Sequence, residues 1–362
     1  MKVLTITDRY IMRRFVTTLV FSLMIFMVII VVFDMVEKLD EFLKHDLSTW
    51  QVIREYYLIF IPYFISTFLA FFTFISAIFF TSRMAYAYEI IAIENAGMSP
   101  LRMLVPYLIV AIGVAGLSYY LNGWFLPRHA GQMILFEAQY LSRPYHYREV
   151  NIHRQISPQW YLYLEEYNNR DSIAYKMSLE KFEGKVLRYK VTSHFARWSG
   201  ADSAWVLHTY RIRRWEGRRM RVRSGKELAV RIPLTPTDFE KSASLLQVMT
   251  NPQLRRRILE LQLKGAGEAR YAAVELAKRQ ALPAAAIVLV VIAFSMASRQ
   301  VRGGMGMHLG MGLLIGFSYI VFLQISATAA IKADLSPFWG AWLPNVAYSL
   351  LAVWLLYRRA RV

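Results

Sequence analysis

Apolar residues in this chain gather in six unbroken blocks, at 15–33, 56–81, 104–125, 281–297, 308–331 and 339–357. A hydrocarbon layer about 30 Å thick is crossed by roughly 20 residues of helix, so each block predicts a transmembrane helix. The fourth is shortest, but the helical pattern of 253–280 runs into it and extends it. Pro62 and Pro106 sit near helix ends and Pro283 near the start of the fourth span; membrane helices tolerate such residues where neighbours satisfy the freed carbonyls.

Between the third and fourth blocks the pattern changes period. Tyr161, Tyr163, Val186, Leu187, Tyr189, Val191, Trp205, Leu207, Tyr210, Ile212, Met220, Val222, Leu228, Val230 and Ile232 fall in short alternating runs. Turn signals separate them at Asn168-Asn169, Glu183-Gly184, Ser199-Gly200, Glu216-Gly217 and Ser224-Gly225, the signature of short strands in a sandwich or jelly roll. Leu234-Thr235-Pro236-Thr237-Asp238 closes this region, and a helical return follows with Arg255, Arg256, Arg257 and Lys264 on its polar side. The expected architecture is therefore a membrane α-helical protein of six transmembrane helices with an inserted periplasmic all-β, jelly-roll-like domain. Its parts are 1–126 with spans one to three, 127–250 as the insert, and 251–362 with spans four to six.

Charge sets the direction of threading. Lys2, Arg9, Arg13 and Arg14 precede the first span, Arg299 and Arg302 follow the fourth, and Arg358, Arg359 and Arg361 follow the sixth. The loop after the first span is acidic, with Asp34, Glu37, Asp40, Glu41 and Asp46, and the turn after the fifth holds only Lys332 and Asp334. Basic residues stay inside, which predicts cytoplasmic termini and an extracytoplasmic insert. The apolar run at the start ends at Asp34 without a small-residue cleavage site, so it reads as a first span and not as a cleaved signal.

Composition adds exclusions. Hydrophobic residues make up 56% of 362, charged residues only 19%, and the formal charge of +18 sits mostly in the insert and beside the apolar blocks, so a nucleic-acid partner is disfavoured. Cysteine is absent, which removes disulfides, thiolate metal sites and a cysteine nucleophile. No Walker A loop, nucleophile elbow or His-Glu-x-x-His occurs; Gly225-Lys226 lacks the upstream glycine. The histidines do not pair at metal spacing, and His146 and His153 read as loop residues. The span interiors lack ionisable residues, so proton-coupled transport is disfavoured, as is catalysis by this chain alone.

Three features stand out from this background. Gly306 and Gly310, then Gly312 and Gly316, make two small-xxx-small pairs at the start of the fifth span, where backbones approach closely. The segment 83–100, starting at Arg83 and running on to Arg102, reads as a short amphipathic cytoplasmic helix in which Tyr88, Ile91, Ala92 and Asn95 flank Glu89 and Glu94; Arg83, Glu89 and Glu94 are its candidate coupling residues. Gly97 and Ser99-Pro100 mark its end. It is either a connector or the element an energy-transducing permease offers to a soluble ATPase. The stripe Arg211, Arg213, Arg214, Arg218, Arg219, Arg221, Arg223 is either a solvated hairpin face that prevents edge pairing or a site for an anionic ligand such as a phospholipid or glycolipid head group.

The opening TDRYI, the segment YEIIAIENAGMSPLRM and the closing LPAAAIVLVVIAFSMASRQVRGG, GFSYIVFLQ and LPNVAYSLLAVWLLYRR resemble the LptF/LptG family of lipopolysaccharide export permeases. Topology shares the likeness, and the Asp-Arg-Tyr opening looks more like the LptG member. The resemblance implies an inner-membrane half-permease without a cofactor or enzymatic activity of its own. It pairs with a sister LptF/LptG-type permease, is driven by two copies of the ATPase LptB, and delivers lipopolysaccharide to LptC and a periplasmic bridge. It implies that Glu89 matches the acidic residue of the family's coupling helix and that spans one and five form lateral gates. Where some members meet lipid phosphates with basic residues, this chain has Asp34, Asp40 and Glu41, with Lys38 and Lys44 nearby. Either those lysines substitute, or the lipid is less phosphorylated, or the sister subunit supplies the charge; an inward-facing Tyr163 is the expected contact in the insert. The competing readings are a membrane-anchored scaffold or signalling protein whose β domain binds partners, and a lipid-modifying enzyme, which the missing catalytic groups disfavour. Lipoprotein-releasing permeases differ in carrying four spans.

Overall fold

The computed structural model describes residues 5–141, 150–168, 172–184, 186–200, 202–217, 219–236, 246–263, 268–301, 303–333 and 335–361. Lys2, His146, Asn169, Arg218, Thr237, Asp238, Lys264, Arg302 and Asp334 lie outside the described residues. The chain divides into two compact units. One comprises 1–136, 248–252 and 270–362, the other 137–247 and 253–269.

The first unit holds six helices long and apolar enough to cross a membrane: α1 (Ile6–Lys44), α2 (Thr49–Tyr86), α4 (Pro100–Glu137), α6 (Ala269–Ala297), α7 (Gly304–Lys332) and α8 (Pro337–Arg361). The short helix α3 (Glu89–Asn95) links α2 to α4. Thr5 caps α1 in a reciprocal capping box with Asp8, satisfying amide donors that the first turn leaves open. Two π-turns, Ile53–Tyr57 and Leu121–Phe125, interrupt α2 and α4 near the ends remote from α3.

Four helices meet at an aromatic core. Phe15 of α1 stacks on Phe80 of α2 at 5.2 Å, Phe80 on Tyr107 of α4 at 5.1 Å, and Tyr107 meets Phe294 of α6 edge-on at 4.9 Å. Tyr107 is fully buried and its hydroxyl finds Thr81 at 3.0 Å, since a phenol in an apolar site keeps a partner. The fourth span is the most enclosed, with 61% of its most apolar window buried against 17% for the first. Ala281, Ala285, Ala286, Ala293 and Ala297 of α6 are buried; side chains this small let neighbouring helices close in. Asn345 of α8 ties the last three helices together, accepting from Tyr319 and donating to the Ala281 carbonyl, each at 2.8 Å.

The second unit contains an antiparallel sheet of β1 (Val150–Ser157), β2 (Trp160–Asn168), β3 (Ile173–Tyr175), β4 (Ser178–Glu183), β5 (Val186–Ser199), β6 (Ala204–Glu216) and β7 (Arg219–Val230). The strand order is β1-β2-β3-β5-β6-β7, and β4 continues the line of β3 between β2 and β5. The sheet is the expected all-β insert, wound as a meander, and most of α5 (Asn251–Leu263), the helical return, belongs to the same unit.

One row of residues bends it. On β2, β5 and β6 the buried positions alternate on either side of Glu165, His194 and Thr209 but slip by one across them. Lys176 and Thr209 on that row take left-handed backbone, with φ of 47° and 55°. The sheet therefore curls, and Tyr167 of β2 reaches Trp205 of β6 across two intervening strands, at 6.2 Å. Ile152, Leu162, Leu164, Leu179, Val191, Leu207 and Tyr210 complete this core.

Two local expectations need correction. Ser224-Gly225 is not a turn but lies within β7. A Cβ on Gly225 would sit 2.7 Å from the Tyr210 ring, so the glycine makes room for an aromatic on the next strand. His153 belongs to β1, with its ring 4.8 Å from that of Tyr163.

The glycine pairs of α7 divide cleanly. Gly312 and Gly316 are buried, and a side chain there would run into Ile78, Phe71 and Phe74 of α2, whereas Gly306 and Gly310 are exposed with open space before them. Gly312→Leu should therefore destabilise the purified protein by about 1–3 kcal/mol through overpacking, read as a lower melting temperature in detergent. Gly306→Leu should leave the melt of the isolated chain unchanged.

Candidate functional site

At the end of the helical unit that carries both termini, the short α3 is fastened at both of its own ends. Tyr88 precedes it in left-handed backbone (φ 59°), and Gly97 follows at φ 89°, where glycine adopts what other residues resist. Ser99 then caps α4, with Pro100 in its first turn. The helix is shorter than the expected 83–100 because α2 runs on to Tyr86, which places Arg83 on α2, exposed.

Glu89, in the first turn of α3, accepts a 2.7 Å hydrogen bond from the Tyr10 hydroxyl of α1. Glu94, in its last turn, pairs with Arg359 of α8, whose guanidinium also donates to Ser298 at 2.7 Å. Arg359 is buried and Glu94 half-buried, so this pair is far better shielded than a surface ion pair.

More bonds bind the same end. Asp8, buried at the start of α1, receives two bonds from Arg102 of α4, at 2.8 and 2.5 Å. Tyr86 donates to the Val301 carbonyl, Gln300 to that of Ala85, and Ser82 meets His308 Nδ1 at 2.9 Å. His308 is fully buried, contrary to the expectation of interiors without ionisable groups; the apolar pattern had placed it at the very edge of its block. Arg299 lies beside Arg358 and Arg359, and burial followed by those two charges lowers its proton affinity, with Glu94 pulling the other way. Sequence reading named Glu89 and Glu94 but missed Tyr10, Asp8, Arg102 and Arg359. Asp8 and Tyr10 lie inside the quoted opening motif, and Arg359 was read only as a topology signal.

At the opposite end of the unit, Lys38 of α1 is mostly buried. It pairs with Asp34 at 2.5 Å, bonds the Tyr56 hydroxyl, and lies over the rings of Tyr56 and Phe60 at 4.4 and 5.5 Å. Tyr57 donates to the same carboxylate at 3.2 Å. Both tyrosines are set by the π-turn of α2, a distortion that recurs at functional positions. Lys44, in the last turn of α1, is exposed. Tyr163 is not on the core side of its sheet: Leu162 and Leu164 take that side, and Tyr163 faces out beside His153 in a shallow depression of about 340 Å³.

The family model of the lipopolysaccharide export system permeases LptF/LptG matches residues 9–358, nearly the whole chain. The chain belongs to the LptF/LptG family. A search of curated proteins finds no match.

An LptF/LptG protein is a non-catalytic, multi-pass permease subunit of the ABC transporter that exports lipopolysaccharide from the inner membrane. It carries no cofactor, and the ATPase is a separate polypeptide. In this LptF/LptG chain these bonds join α3 to α1 through Glu89 and Tyr10, and to α8 and the residue following α6 through Glu94, Arg359 and Ser298. Arg359→Ala should lower stability by about 2 kcal/mol, between the surface and buried limits for ion pairs. Combining it with Glu94→Gln should recover part of that loss. Melting curves of the two variants in detergent give the comparison.

Proposed function

We propose that this chain is the half-permease through which a cytoplasmic ATPase draws lipopolysaccharide out of the outer leaflet of the inner membrane. Its partners in this reading are a sister LptF/LptG-type permease, two copies of LptB, and LptC with the bridge beyond. The Asp-Arg-Tyr opening favours the LptG-like member of the pair. Both termini and α3 lie in the cytoplasm, as the basic residues at those places require.

The observation that carries the proposal is the fastening of α3. Glu89, Glu94 and Arg83 form its polar surroundings, and its two carboxylates are already engaged with the first and last long helices. The ATPase meets this surface with Glu89 as the contact carboxylate. Glu94 works inward, holding α8 to the stroke. An energy source is needed because each CH₂ brought into water costs about 0.8 kcal/mol, and a lipid with several acyl chains cannot leave the bilayer unaided.

The first span supplies the lipid face. Val16, Val20, Phe21, Met24, Ile25, Val28 and Val32 are exposed along α1, and Gly306 and Gly310 leave a small-residue surface on α7. These two helices are the lateral gates of the proposal, facing the sister subunit and the incoming lipid. Lys44 is the exposed cation at the outer end of α1 and contacts a phosphate directly. Lys38 joins it only when the lipid competes with Asp34, because that carboxylate already neutralises it.

Glu89→Lys should lower the melting temperature only slightly, because the lost bond to Tyr10 is an exposed one, while cutting ATP-dependent lipid release from reconstituted vesicles about tenfold or more, the scale of losing a charge-assisted contact. Tyr10→Phe, which removes the intramolecular bond and keeps the carboxylate, separates contact from structure and should retain most release. Normal release by the Glu89→Lys complex contradicts the assignment.

A further inference from the structure

The arginine stripe of the insert divides between two faces, and only one of them continues the core. Strand pairing places Trp205 opposite Val230, Leu207 opposite Leu228, Tyr210 opposite Gly225, Ile212 opposite Arg223, Arg214 opposite Arg221 and Glu216 opposite Arg219. Tyr210 is in the core and Ile212 packs on it, so Arg214, Arg219, Arg221 and Arg223 follow on the core side. Arg211 and Arg213 belong to the other face, with Trp215, Met220 and Val222. On the neighbouring strand, Tyr189 is paired with Arg214, and its ring meets Trp160 edge-on at 5.7 Å. The same face thus passes from buried core residues to a rim where Tyr189 and the guanidinium groups lie side by side.

The position of these groups is equally telling. The chain enters the sheet at Val150, paired with Glu166, and leaves it at Val230, paired with Trp205. The guanidinium row stands towards the other end of β6 and β7, with the Arg214–Arg221 pair nine residues from Trp205 and Val230, roughly 30 Å at strand rise.

Solvation alone does not account for this row. Arg214 and Arg221 are direct cross-strand neighbours, an arrangement that costs stability. Glu216 is the one carboxylate on the tip, 3.6 Å from Arg214 and 3.4 Å from Arg221, and both guanidiniums stay largely exposed. Protection of an edge is served by lysine, yet every cation of the stripe is arginine, the side chain that grips phosphate oxygens with two parallel donors. Two rows inward on the same face, Ser193 is buried with its hydroxyl unpartnered.

We infer that Arg214, Arg221 and Arg223, beside Tyr189, form a site at the far end of the insert for the phosphate groups of an anionic glycolipid. The inference rests on the export reading and adds where in the insert the exported lipid's charged part is held. The gradient along the face matches an amphipathic ligand, with apolar parts towards Ile212 and Tyr210 and phosphate on the arginines.

The test uses the full complex with its sister permease and ATPase, in vesicles containing lipopolysaccharide and ATP. A benzophenone amino acid at position 189 reports lipid at the rim, and a second preparation with the probe at position 21 on α1 reports lipid entering the spans. Arg214→Glu with Arg221→Glu should cut the lipid adduct at 189 about tenfold or more, as expected for lost charge-assisted contacts, and leave the adduct at 21 intact. Arg214→Lys with Arg221→Lys, which keeps charge and fold, should retain an intermediate adduct. Lipopolysaccharide stripped of its phosphates should give the wild-type protein the low value. An undiminished adduct at 189 in the glutamate variant, or a protein adduct there in place of lipid, overturns the inference. Absence of lipid adducts at both 21 and 189 overturns the export reading beneath it.

Discussion

A charge brought among packed helices must be paired, and in this chain the pairs fasten one end of the helical unit together. Arg102 grips Asp8, Arg359 grips Glu94, and the Tyr10 hydroxyl holds Glu89. Removing one partner of a buried pair leaves an uncompensated charge, which costs far more than the pair itself contributes. These contacts are therefore poor sources of stability and good sources of geometry. They fix a seven-residue helix, too short to persist alone, against helices that run the depth of the unit.

That geometry suits a permease whose energy comes from another polypeptide. In the function proposed above, the chain's own contribution is a surface to be pushed, a rigid connection, and an apolar face on which a lipid can move. The connection is continuous in covalent and hydrogen-bonded terms from α3 through Glu94, Arg359 and Ser298 to the alanine-rich α6, the helix most enclosed by its neighbours. At the opposite end of the helical unit, Lys38 is held by Asp34 and two tyrosines. Acidic residues there accompany the neighbouring lysine and do not exclude its use.

The apolar blocks were legible because a spanning helix must be apolar over most of its length, and the strands because alternation and glycine turns mark them. Glu183-Gly184 and Glu216-Gly217 turn as their sequence suggests, with both glycines at φ 63°. Ser224-Gly225 carries the same signal and lies inside a strand, because its glycine answers to a ring on β6 that lies 15 residues away in sequence. The curl of the sheet was hidden for a related reason. Lys176 and Thr209 take left-handed backbone without being residues that favour it, and only the packed sheet selects that conformation. Tyr163 was expected to face inward, and the slip in alternation makes such an assignment unreadable from spacing alone. Glu89 and Glu94 could be picked out in a polar loop, but their partners lie 79 and 265 residues distant, in segments whose charges already had an explanation in membrane topology.

The absence of cysteine makes the rigid connection directly measurable. Spin labels on Ile91→Cys and Val353→Cys, both exposed sites on α3 and α8, report their separation by pulsed dipolar spectroscopy in the complex with its ATPase. The account predicts the same distance distribution with and without bound nucleotide, since the Glu94–Arg359 link makes the two helices travel together. A nucleotide-dependent change of about 5 Å, the scale of a one-turn slip between packed elements, would contradict it.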